Sequence, residues 1–442
     1  MTQISEARQG RLTAEMLRVS EAERVAPEAV RDAVARGHLT ICCNRRRAAL
    51  GLPQPVCGIG RGLRTKVNAN IGTSADYPDL DAELAKLHVA VEAGADAVMD
   101  LSTGGDLRSI RQKVLEQSPV VVGTVPIYEA AVRAAREHGG IRHMTAESIL
   151  SAVRQHAEQG VDFLTLHCGV TLAALEVLRQ SPRVAGIVSR GGSFLATWMR
   201  YHRQENPLYE QFDEILAICS EYDVAISLGD GLRPGCQADS LDRAQVHELS
   251  TLAELATRAL EAGVQIIVEG PGHVPLNQVE TQVRLQKEMC KGAPFYVLGP
   301  LVTDVTPGYD HIAAAIGGAV AAAAGVDFIC YVTPAEHLCL PDVEHVREGV
   351  IAARIAGHAA DIVKGVPGAA EWDLEFSRAR KALDWEKMFR LALDPRKARE
   401  LREKRRGAGG DVCSMCAEFC ALRILEREEQ AQGGCTDARE AH

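Results

Sequence analysis

The chain has 442 residues, of which 46% are hydrophobic, 24% charged and only 4% aromatic, and its formal net charge is −10 at pH 7. This length suits one barrel-sized domain with smaller additions, and the acidic balance argues against a nucleic-acid-binding surface. We expect neither a signal peptide nor a membrane span, because the longest uncharged run, 312–326, is short and weakly apolar. The 13 cysteines, an odd number scattered along the chain, predict a reduced cytoplasmic protein with metal chemistry rather than a disulfide framework.

Three regions follow one another along the chain. Residues 1–62 form a predicted N-terminal segment that opens with helical patterning and continues into a stretch rich in proline and arginine. Residues 63–395 alternate short β-branched runs with stretches of helical periodicity. In residues 396–442 a charged helix leads into the glycine-rich run 407–410, a predicted flexible hinge, and then into a cysteine-containing segment.

The alternating region predicts an α/β fold with a parallel sheet covered on both faces. Eight strand–helix units close a (β/α)8 TIM-type barrel, which we predict as the catalytic domain. A doubly wound open sheet is the alternative architecture. Nine runs qualify as strands, so one of them is expected to lie outside the barrel: Lys66–Asn70, Ala97–Leu101, Val120–Thr124, Phe163–His167, Gly186–Ser189, Ala225–Leu228, Gln265–Glu269, Tyr296–Leu298 and Phe328–Val332.

Polar residues cluster where these runs end. In a barrel the carboxyl ends of the strands form the catalytic face, so these side chains are expected to converge on one mouth. An open sheet would place them mainly at one switch point instead. The residues at the run ends are Asn70, Met99, Asp100, Tyr128, His167, Ser189, Arg190, Gly191, Asp230, Gly231, Leu232, Arg233, Glu269 and His273.

Two kinds of binding site are indicated at this mouth. The turn Glu269–His273 and the strand end carrying His337 bring two imidazoles together and suggest a metal site with open coordination positions. Hydrogen-bonded loop histidines or a structural cation are the alternatives. The turns Ser189–Gly192 and Asp230–Gly235 offer guanidinium groups and backbone N–H groups that suit a phosphate or a carboxylate. Ion pairs with barrel carboxylates are the competing interpretation.

Three cysteines near the end of the chain indicate a further metal site. Cys413, Cys416 and Cys420 are spaced so that their thiolates can hold three irons of a [4Fe–4S] cluster and leave the fourth iron open to a small ligand. A zinc site completed by Cys435 or His442 is the alternative on spacing alone.

Together these residues resemble the radical S-adenosylmethionine family of phosphomethylpyrimidine synthase, which also includes the sister 5-hydroxybenzimidazole synthases. The resemblance covers residues 60–425. Between Cys416 and Cys420 this chain has three residues where the best-known members have four, a spacing associated with shorter members of the family. The motifs that carry the resemblance are Val67–Gly72, Met99–Gly104, Gly123–Tyr128, Ser189–Gly192, Gly229–Gly235, Glu269–His273, Pro307–His311, Tyr331–His337 and Cys413–Cys416.

The resemblance implies a dimeric (β/α)8 barrel whose mobile cluster segment reaches the barrel of the partner. It implies that His273 and His337 hold zinc or iron, and that Cys413, Cys416 and Cys420 hold the [4Fe–4S] cluster. Glu269, Tyr128 and His167 are the expected catalytic residues. The expected substrate contacts are Asn70, Met99, Tyr128, His167, Ser189, Arg190, Gly191, Asp230, Gly231, Leu232, Arg233, Glu269 and Tyr296.

The implied reaction begins with one electron passing from the cluster to S-adenosylmethionine, which gives methionine and a 5′-deoxyadenosyl radical. That radical takes hydrogen from 5-aminoimidazole ribotide, which rearranges to the hydroxymethylpyrimidine phosphate of thiamine biosynthesis. A donor such as flavodoxin or ferredoxin would supply the electron. The alternatives are 5-hydroxybenzimidazole synthesis for anaerobic cobamide (vitamin B12) production, a zinc-dependent barrel lyase, and a non-catalytic cluster-binding regulator.

Overall fold

The computed structural model describes residues 1–406 and 412–424. It divides into two compact units, the first spanning Met1–Pro367 and the second beginning at Gly368. The predicted glycine hinge at 407–410 lies outside the described residues, and so do Cys435 and His442. Within the described part of the chain, every helix is too short or too polar to cross a membrane.

The first 60 residues pack against the base of a barrel that the later residues form. Thr2 Oγ1 donates to the Gly263 carbonyl at 2.7 Å, and the Gln265 side chain bonds both backbone groups of Ile41 at 2.7 and 2.9 Å. Because these partners directly precede a barrel strand, the segment closes the bottom of the barrel. Its elements are α1 (Gln3–Arg8), α2 (Ala14–Glu23), α3 (Pro27–Ala35), β1 (Leu39–Cys42), α4 (Arg46–Ala49) and β2 (Cys57–Gly60), with β1 and β2 antiparallel.

Eight parallel strands close the barrel in the order β10-β3-β4-β5-β6-β7-β8-β9. This confirms the predicted (β/α)8 architecture, and eight of the nine predicted runs are strands. The ninth, Gly186–Ser189, is an irregular segment that leads directly into a helix. The strands are β3 (Lys66–Ile71), β4 (Ala97–Asp100), β5 (Val121–Thr124), β6 (Phe163–Leu166), β7 (Ala225–Leu228), β8 (Ile266–Gly270), β9 (Phe295–Leu298) and β10 (Phe328–Cys330).

Helices connect successive strands, and many of them begin at a side chain that satisfies a free backbone N–H. Asp79, Asp106, Thr171, Ser189 and Asp242 each cap a helix in this way. The helices are α5 (Leu80–Glu92), α6 (Leu107–Gln117), α7 (Pro126–His138), α8 (Ala146–Glu158), α9 (Leu172–Gln180), α10 (Arg190–His202), α11 (Pro207–Glu210), α12 (Phe212–Tyr222), α13 (Arg243–Glu261), α14 (Val279–Met289), α15 (Asp310–Ala324) and α16 (Val343–Lys364).

Aromatic rings fill the lower interior of the barrel. The ring centroid of Phe328 lies 6.2 Å from that of Phe163 and 4.3 Å from that of Tyr296. Gly123 and Gly270 make room for these rings, because a Cβ at either position would lie 2.2 Å from the ring of Phe163 or Phe295. The interior is therefore a packed core below the mouth.

An aspartate directly precedes three of the barrel strands at the base. Each carboxylate accepts a hydrogen bond from a backbone N–H of the neighbouring strand and pairs with a cation. Each is also preceded two positions earlier by a glycine with positive φ. The sets are Asp96 with Val67 N and Arg64, Asp162 with Val122 N (2.8 Å) and Arg47 (2.7 Å), and Asp327 with Phe295 N (2.9 Å) and Lys287 (2.5 Å).

Within its described residues, the second unit contains further helices and the cysteine segment, which ends in a helical turn at 421–424. The helices are α17 (Ala369–Ala382), α18 (Trp385–Leu391) and α19 (Pro395–Lys404). The Trp372 indole donates to the Leu391 carbonyl at 2.8 Å, which ties the first helix to the end of the second. Arg402 lies over the Trp385 ring at 3.9 Å and donates to the Val412 carbonyl at 3.1 Å, so α19 contacts the start of the cysteine segment.

Candidate active site

A cavity of about 880 Å³ opens at the carboxyl ends of the barrel strands, and we call it the mouth cavity. Its lining comes from the ends of most strands, as the sequence predicted for a barrel. The predicted residues that line it are Asn70, Met99, Tyr128, His167, Arg190, Asp230, Arg233, Glu269 and Tyr296, joined by Thr165, Cys330 and Glu336 among others.

Three carboxyl groups that line the mouth cavity have pKa values raised by burial: Glu336, and the pair Glu269 and Asp230. Glu269 Oε1 accepts hydrogen bonds from Thr165 Oγ1 at 2.8 Å and from Ser227 Oγ at 2.6 Å, yet burial raises the pKa of Glu269. Burial also raises the pKa of Asp230 well above its usual range, although Arg233 lies 3.4 Å away and opposes the shift. Burial thereby shifts both groups toward the protonated form, which can donate a proton as well as accept a hydrogen bond.

The His167 ring is held between two glycines. A Cβ on Gly191 would lie 2.3 Å from its Cε1, and a Cβ on Gly229 would lie 3.0 Å from its Cδ2. Burial, with a smaller effect from Arg233, lowers the pKa of His167 to about 3. Its Nδ1 is buried without a hydrogen-bond partner among the described residues. His167 is therefore a neutral imidazole in the wall of the mouth cavity, with one ring nitrogen unpaired within the described residues.

An amide and aromatic cluster forms another wall of the cavity. Asn68 Nδ2 lies 2.8 Å from Asn70 Oδ1 and 2.8 Å from the Tyr296 hydroxyl. Asn70 Nδ2 lies 3.1 Å from Cys330 Sγ, and the Tyr296 hydroxyl lies 3.6 Å from Met99 Sδ. Although Tyr296 belongs to the first half of β9, its long side chain reaches the cavity.

A cationic corner lies at the start of α10. Ser189 caps this 13-residue helix by accepting from Gly192 N at 3.1 Å. The Arg190 guanidinium lies 5.1 Å from the ring centroid of Tyr128, whose pKa is raised by burial. A helix N-terminus with an adjacent arginine favours an anionic group.

Four predicted residues do not line the mouth cavity but support its walls. Ser189 is the cap just described, and Gly191 contacts the His167 ring. Gly231 lies against the start of α10, where a Cβ on Gly192 would be 2.3 Å from its carbonyl oxygen. Leu232 N donates to Glu248 Oε2 at 2.8 Å, and burial raises the pKa of Glu248 to about 8. These contacts fix the two turns against each other.

The two predicted metal ligands lie side by side at the edge of the mouth. The ring centroids of His273 and His337 are 5.5 Å apart. His273 Nδ1 lies 2.8 Å from Asp304 Oδ1, and His337 Nδ1 lies 2.8 Å from Asp310 Oδ2. A carboxylate behind each imidazole is the usual support of a metal-binding histidine, so this donor set fits a divalent metal. No third His, Cys, Asp or Glu completes a metal-ligand group in the described part of the chain.

A second cavity of about 1,420 Å³ adjoins the first, and we call it the rim cavity. It shares Asn70, Arg190 and Glu336 with the mouth cavity, and His337 contributes to its wall. The two cavities therefore offer adjacent sites for two small molecules with a histidine at their edge.

The three predicted cluster ligands belong to the second unit. Cys413 is half-buried, Cys416 exposed and Cys420 buried, and a short 3-10 turn, Ala417–Phe419, separates the last two. Backbone N–H groups of Cys416 and Met415 lower the pKa of Cys413, which favours its thiolate. Three soft thiolate donors on one short segment fit an iron–sulfur cluster.

Sequence reasoning missed several residues of the site. Asp304 and Asp310 follow β9 without any strand-end pattern, although Asp310 lies within one of the motifs quoted above. Cys330 and Glu336 flank a predicted strand end but carried no assigned role. A polar residue directly after a strand is a local pattern, and it cannot identify a hydrogen-bond partner that another loop contributes.

Comparison with known proteins places the chain among its relatives. It is 60% identical over 425 residues to phosphomethylpyrimidine synthase of Moorella thermoacetica and 57% identical over 425 residues to that of Desulforamulus reducens, covering 96% of this chain and 98% of each relative. A dihydropteroate synthase structure from Coxiella burnetii is 12% identical with a TM-score of 0.39, over 68% of this chain and 94% of that one. Residues 2–427 match the Radical SAM ThiC family, and the chain therefore belongs to that family.

Proposed function

We propose that this protein is a phosphomethylpyrimidine synthase, which converts 5-aminoimidazole ribotide to 4-amino-5-hydroxymethyl-2-methylpyrimidine phosphate in thiamine biosynthesis. The observation that carries the proposal is the near full-length identity of 60% to a relative of that name. The mouth cavity supports it, because an imidazole ribotide needs a pocket with an anion-binding corner and separate polar groups for its ring.

Membership in the family implies a [4Fe–4S] cluster and S-adenosylmethionine. When bound, the cluster and S-adenosylmethionine supply one-electron chemistry and so a hydrogen-abstracting radical. Cys413, Cys416 and Cys420 are the proposed cluster ligands, and the lowered pKa of Cys413 supports this role. A reductant is required, and we propose a flavodoxin or a ferredoxin.

We propose that His273 and His337 hold zinc or iron(II) through their Nε2 atoms. The support is the carboxylate on each Nδ1, which leaves the other ring nitrogen to a metal. The adjoining rim cavity is the proposed site of S-adenosylmethionine, since it has room for a second ligand beside His337.

The residues of the mouth cavity have distinct proposed tasks. Arg190 and the N-terminus of α10 bind the substrate phosphate, which suits the charge of the guanidinium and the positive end of the helix dipole. His167, neutral at physiological pH, offers a hydrogen bond to the substrate without a charge. Glu269 and Tyr128 hold or move protons at the ring, and the raised pKa of Glu269 suits that task.

Asn70, Met99, Asp230, Arg233 and Tyr296 complete the proposed substrate contacts, with Ser189, Gly191, Gly231 and Leu232 positioning them. A homodimer in which the cluster segment serves the barrel of the partner remains part of the proposal, as the family resemblance implies. A cytoplasmic location remains a prediction from cysteine usage.

The decisive experiment is an anaerobic assay of reconstituted protein with 5-aminoimidazole ribotide, S-adenosylmethionine and a reductant, analysed by mass spectrometry. We expect the hydroxymethylpyrimidine phosphate together with 5′-deoxyadenosine. Cys416→Ala should lose iron and product, whereas the matched control Cys43→Ala, in the N-terminal segment, should keep both. Formation of 5-hydroxybenzimidazole would assign the sister reaction instead. Cluster-loaded protein that yields no 5′-deoxyadenosine would overturn the proposal.

A further inference from the structure

The Asp304 carboxylate contacts two separate parts of the mouth at once. Its Oδ1 lies 2.8 Å from His273 Nδ1, and its Oδ2 accepts a hydrogen bond from the backbone N–H of Gln237 at 2.8 Å. Gln237 lies in the segment 230–239, which we call the 230–239 turn. Asp230 and Arg233, at the start of this turn, line the mouth cavity. One side chain therefore joins a proposed metal ligand to the turn that faces the substrate.

The same region holds a second link between these parts. Gln237 Nε2 donates to the Leu301 carbonyl at 2.8 Å, and Leu301 N donates to the Gly272 carbonyl at 2.7 Å. The loop after β9 thus packs between the 230–239 turn and the residue directly before His273. These hydrogen bonds join the histidine turn and the 230–239 turn through the loop after β9.

Asp310 provides a natural comparison. It accepts from His337 Nδ1 at 2.8 Å and from Thr306 Oγ1 at 2.9 Å, and it is almost fully buried at the start of α15. Within the described residues, no hydrogen bond or ion pair joins it to the 230–239 turn. Both aspartates therefore accept a hydrogen bond from Nδ1 of their histidine. They differ in the second contact, which is Gln237 N for Asp304 and Thr306 Oγ1 for Asp310.

The direction of each hydrogen bond follows from the chemistry of the groups. An ionised carboxylate can only accept, so Nδ1 of each histidine carries the hydrogen and Nε2 keeps its lone pair for a metal. A metal on Nε2 makes the Nδ1–H group a stronger donor, which strengthens its bond to Asp304 or Asp310. At Asp304 the strengthened bond also fixes the carboxylate that holds Gln237.

We infer that Asp304 is a positioning residue that couples occupancy of the metal site at His273 to the order of the 230–239 turn. Metal binding orders the turn that carries Asp230 and Arg233, and a ligand that contacts this turn tightens the metal in return. The coupling rests on the metal and substrate sites of the proposed function, but it concerns how the two sites communicate rather than which reaction follows.

The test uses the full-length protein, stripped of metal and titrated with zinc alone. Hydrogen exchange of the 230–239 segment is followed by mass spectrometry with and without zinc, and zinc affinity is measured against a chromogenic chelator. We expect zinc to slow exchange of this segment by about fivefold or more in the wild type, in line with typical coupling energies. Exchange in the β1–β2 hairpin at the barrel base serves as the internal reference.

Two matched variants separate coupling from metal binding. Asp304→Asn and Asp310→Asn should each weaken zinc by about 10- to 100-fold, since both remove a carboxylate from a ligand histidine. At saturating zinc, Asp310→Asn should still slow exchange of 230–239. In Asp304→Asn this slowing should be much smaller, because an amide that accepts from His273 presents its NH2 group to the Gln237 N–H and only the link through Leu301 remains.

Two results would contradict the coupling, and a separate result would contradict only the proposed substrate. Wild-type protein whose 230–239 exchange ignores saturating zinc, or an Asp304→Asn variant that responds like the wild type, would overturn the inference. The proposed function is tested separately by adding 5-aminoimidazole ribotide to the zinc-loaded protein. Failure of this compound to bind, with the zinc response of 230–239 intact, would contradict the proposed substrate and leave the coupling established.

Discussion

The two ends of the barrel place buried carboxyl groups in different surroundings. At the base, Asp162 and Asp327 each pair with a cation within 2.7 Å and also bond a strand N–H. At the mouth, Glu269 and Asp230 lie in a cavity with pKa values raised by burial, and Asp230 Oδ2 has no hydrogen-bond partner in the described chain.

This difference separates stability from function within one fold. Close ion pairs and strand hydrogen bonds at the base fix the strands, although Asp162 Oδ1 has no hydrogen-bond partner in the described chain and burial raises the pKa of Asp162 to about 6. The carboxyl groups at the mouth instead line a cavity that can take a ligand. Substitutions at the base should therefore change the free energy of unfolding, and substitutions at the mouth should change catalysis. Four substitutions test this separation, from the largest expected effect to the smallest.

The largest effect is expected at Arg47, whose side chain is about 1% exposed and pairs with fully buried Asp162. Arg47→Met leaves this carboxylate without its cation, and we expect the free energy of unfolding to fall by about 3–5 kcal/mol. Urea denaturation measures the loss. Arg47→Met combined with Asp162→Asn should recover much of it, while substrate affinity of folded Arg47→Met protein should stay within twofold. A variant that unfolds like the wild type would contradict the separation.

At the mouth, Gly191→Ala places a Cβ 2.3 Å from His167 Cε1, so the imidazole must move. We expect kcat/KM to fall about 100-fold, about 2.7 kcal/mol, because a small displacement of a positioned group is costly in catalysis. Gly229→Ala is the graded control, since its Cβ would lie 3.0 Å from the ring, and we expect about a tenfold fall. Equal activity in the two variants, or full activity in Gly191→Ala, would show that His167 is not held for the reaction.

Glu248 lies behind the mouth, and burial raises its pKa from 4.5 to about 8. Between pH 4.5 and about pH 8, the Glu248 carboxyl group is ionised in the unfolded chain but keeps its proton in the folded protein. The contribution of Glu248 to the free energy of unfolding therefore falls as the pH rises through this range. Glu248→Gln removes the effect, and we expect its stability relative to the wild type to increase by about 1.4 kcal/mol between pH 6 and pH 7. Urea denaturation from pH 5 to pH 9 measures it, with a constant difference above pH 8. A difference independent of pH throughout would show that Glu248 ionises normally.

Arg190→Ala is expected to have the smallest effect, because the guanidinium is exposed and the N-terminus of α10 remains. We expect KM for the phosphorylated substrate to rise about five- to tenfold, about 1 kcal/mol, with kcat nearly unchanged. Steady-state kinetics measure both constants, and Arg190→Lys should give an intermediate KM because its ammonium retains charge without a planar fork. An unchanged KM would exclude a phosphate contact at Arg190.

The sequence predicted the barrel because eight strands and their helices each have a local signature. Gly186–Ser189 carries the same apolar pattern but runs into the cap of α10, and a short run does not distinguish a strand from an extended lead-in. Tyr296 begins the predicted run Tyr296–Leu298, at the end of the strand away from the mouth, and only the length of its side chain brings it to the cavity.

What the sequence could not provide are contacts between loops distant in the chain. Asp304 reaches His273 and Gln237 across 31 and 67 residues, and no spacing rule connects them. The aspartates at the barrel base do share a local pattern, the recurring Gly-x-Asp at 94–96, 160–162 and 325–327. This pattern does not identify the cations that pair with them, because those come from other parts of the chain. Local pattern thus predicts the elements, and tertiary contacts determine which polar groups become a site.

The packing of the first residues against the barrel base has a consequence for the order of folding. Thr2, Gln3 and Ile41 bond to residues 220 to 261 positions later in the chain. During synthesis the N-terminal segment emerges first, but its binding surface exists only after β7 and β8, the fifth and sixth strands of the barrel, have been made. Contacts this distant in sequence form slowly because a long loop must close first. The N-terminal segment therefore makes its final contacts with the barrel only late in synthesis, and its apolar residues lack those partners until then.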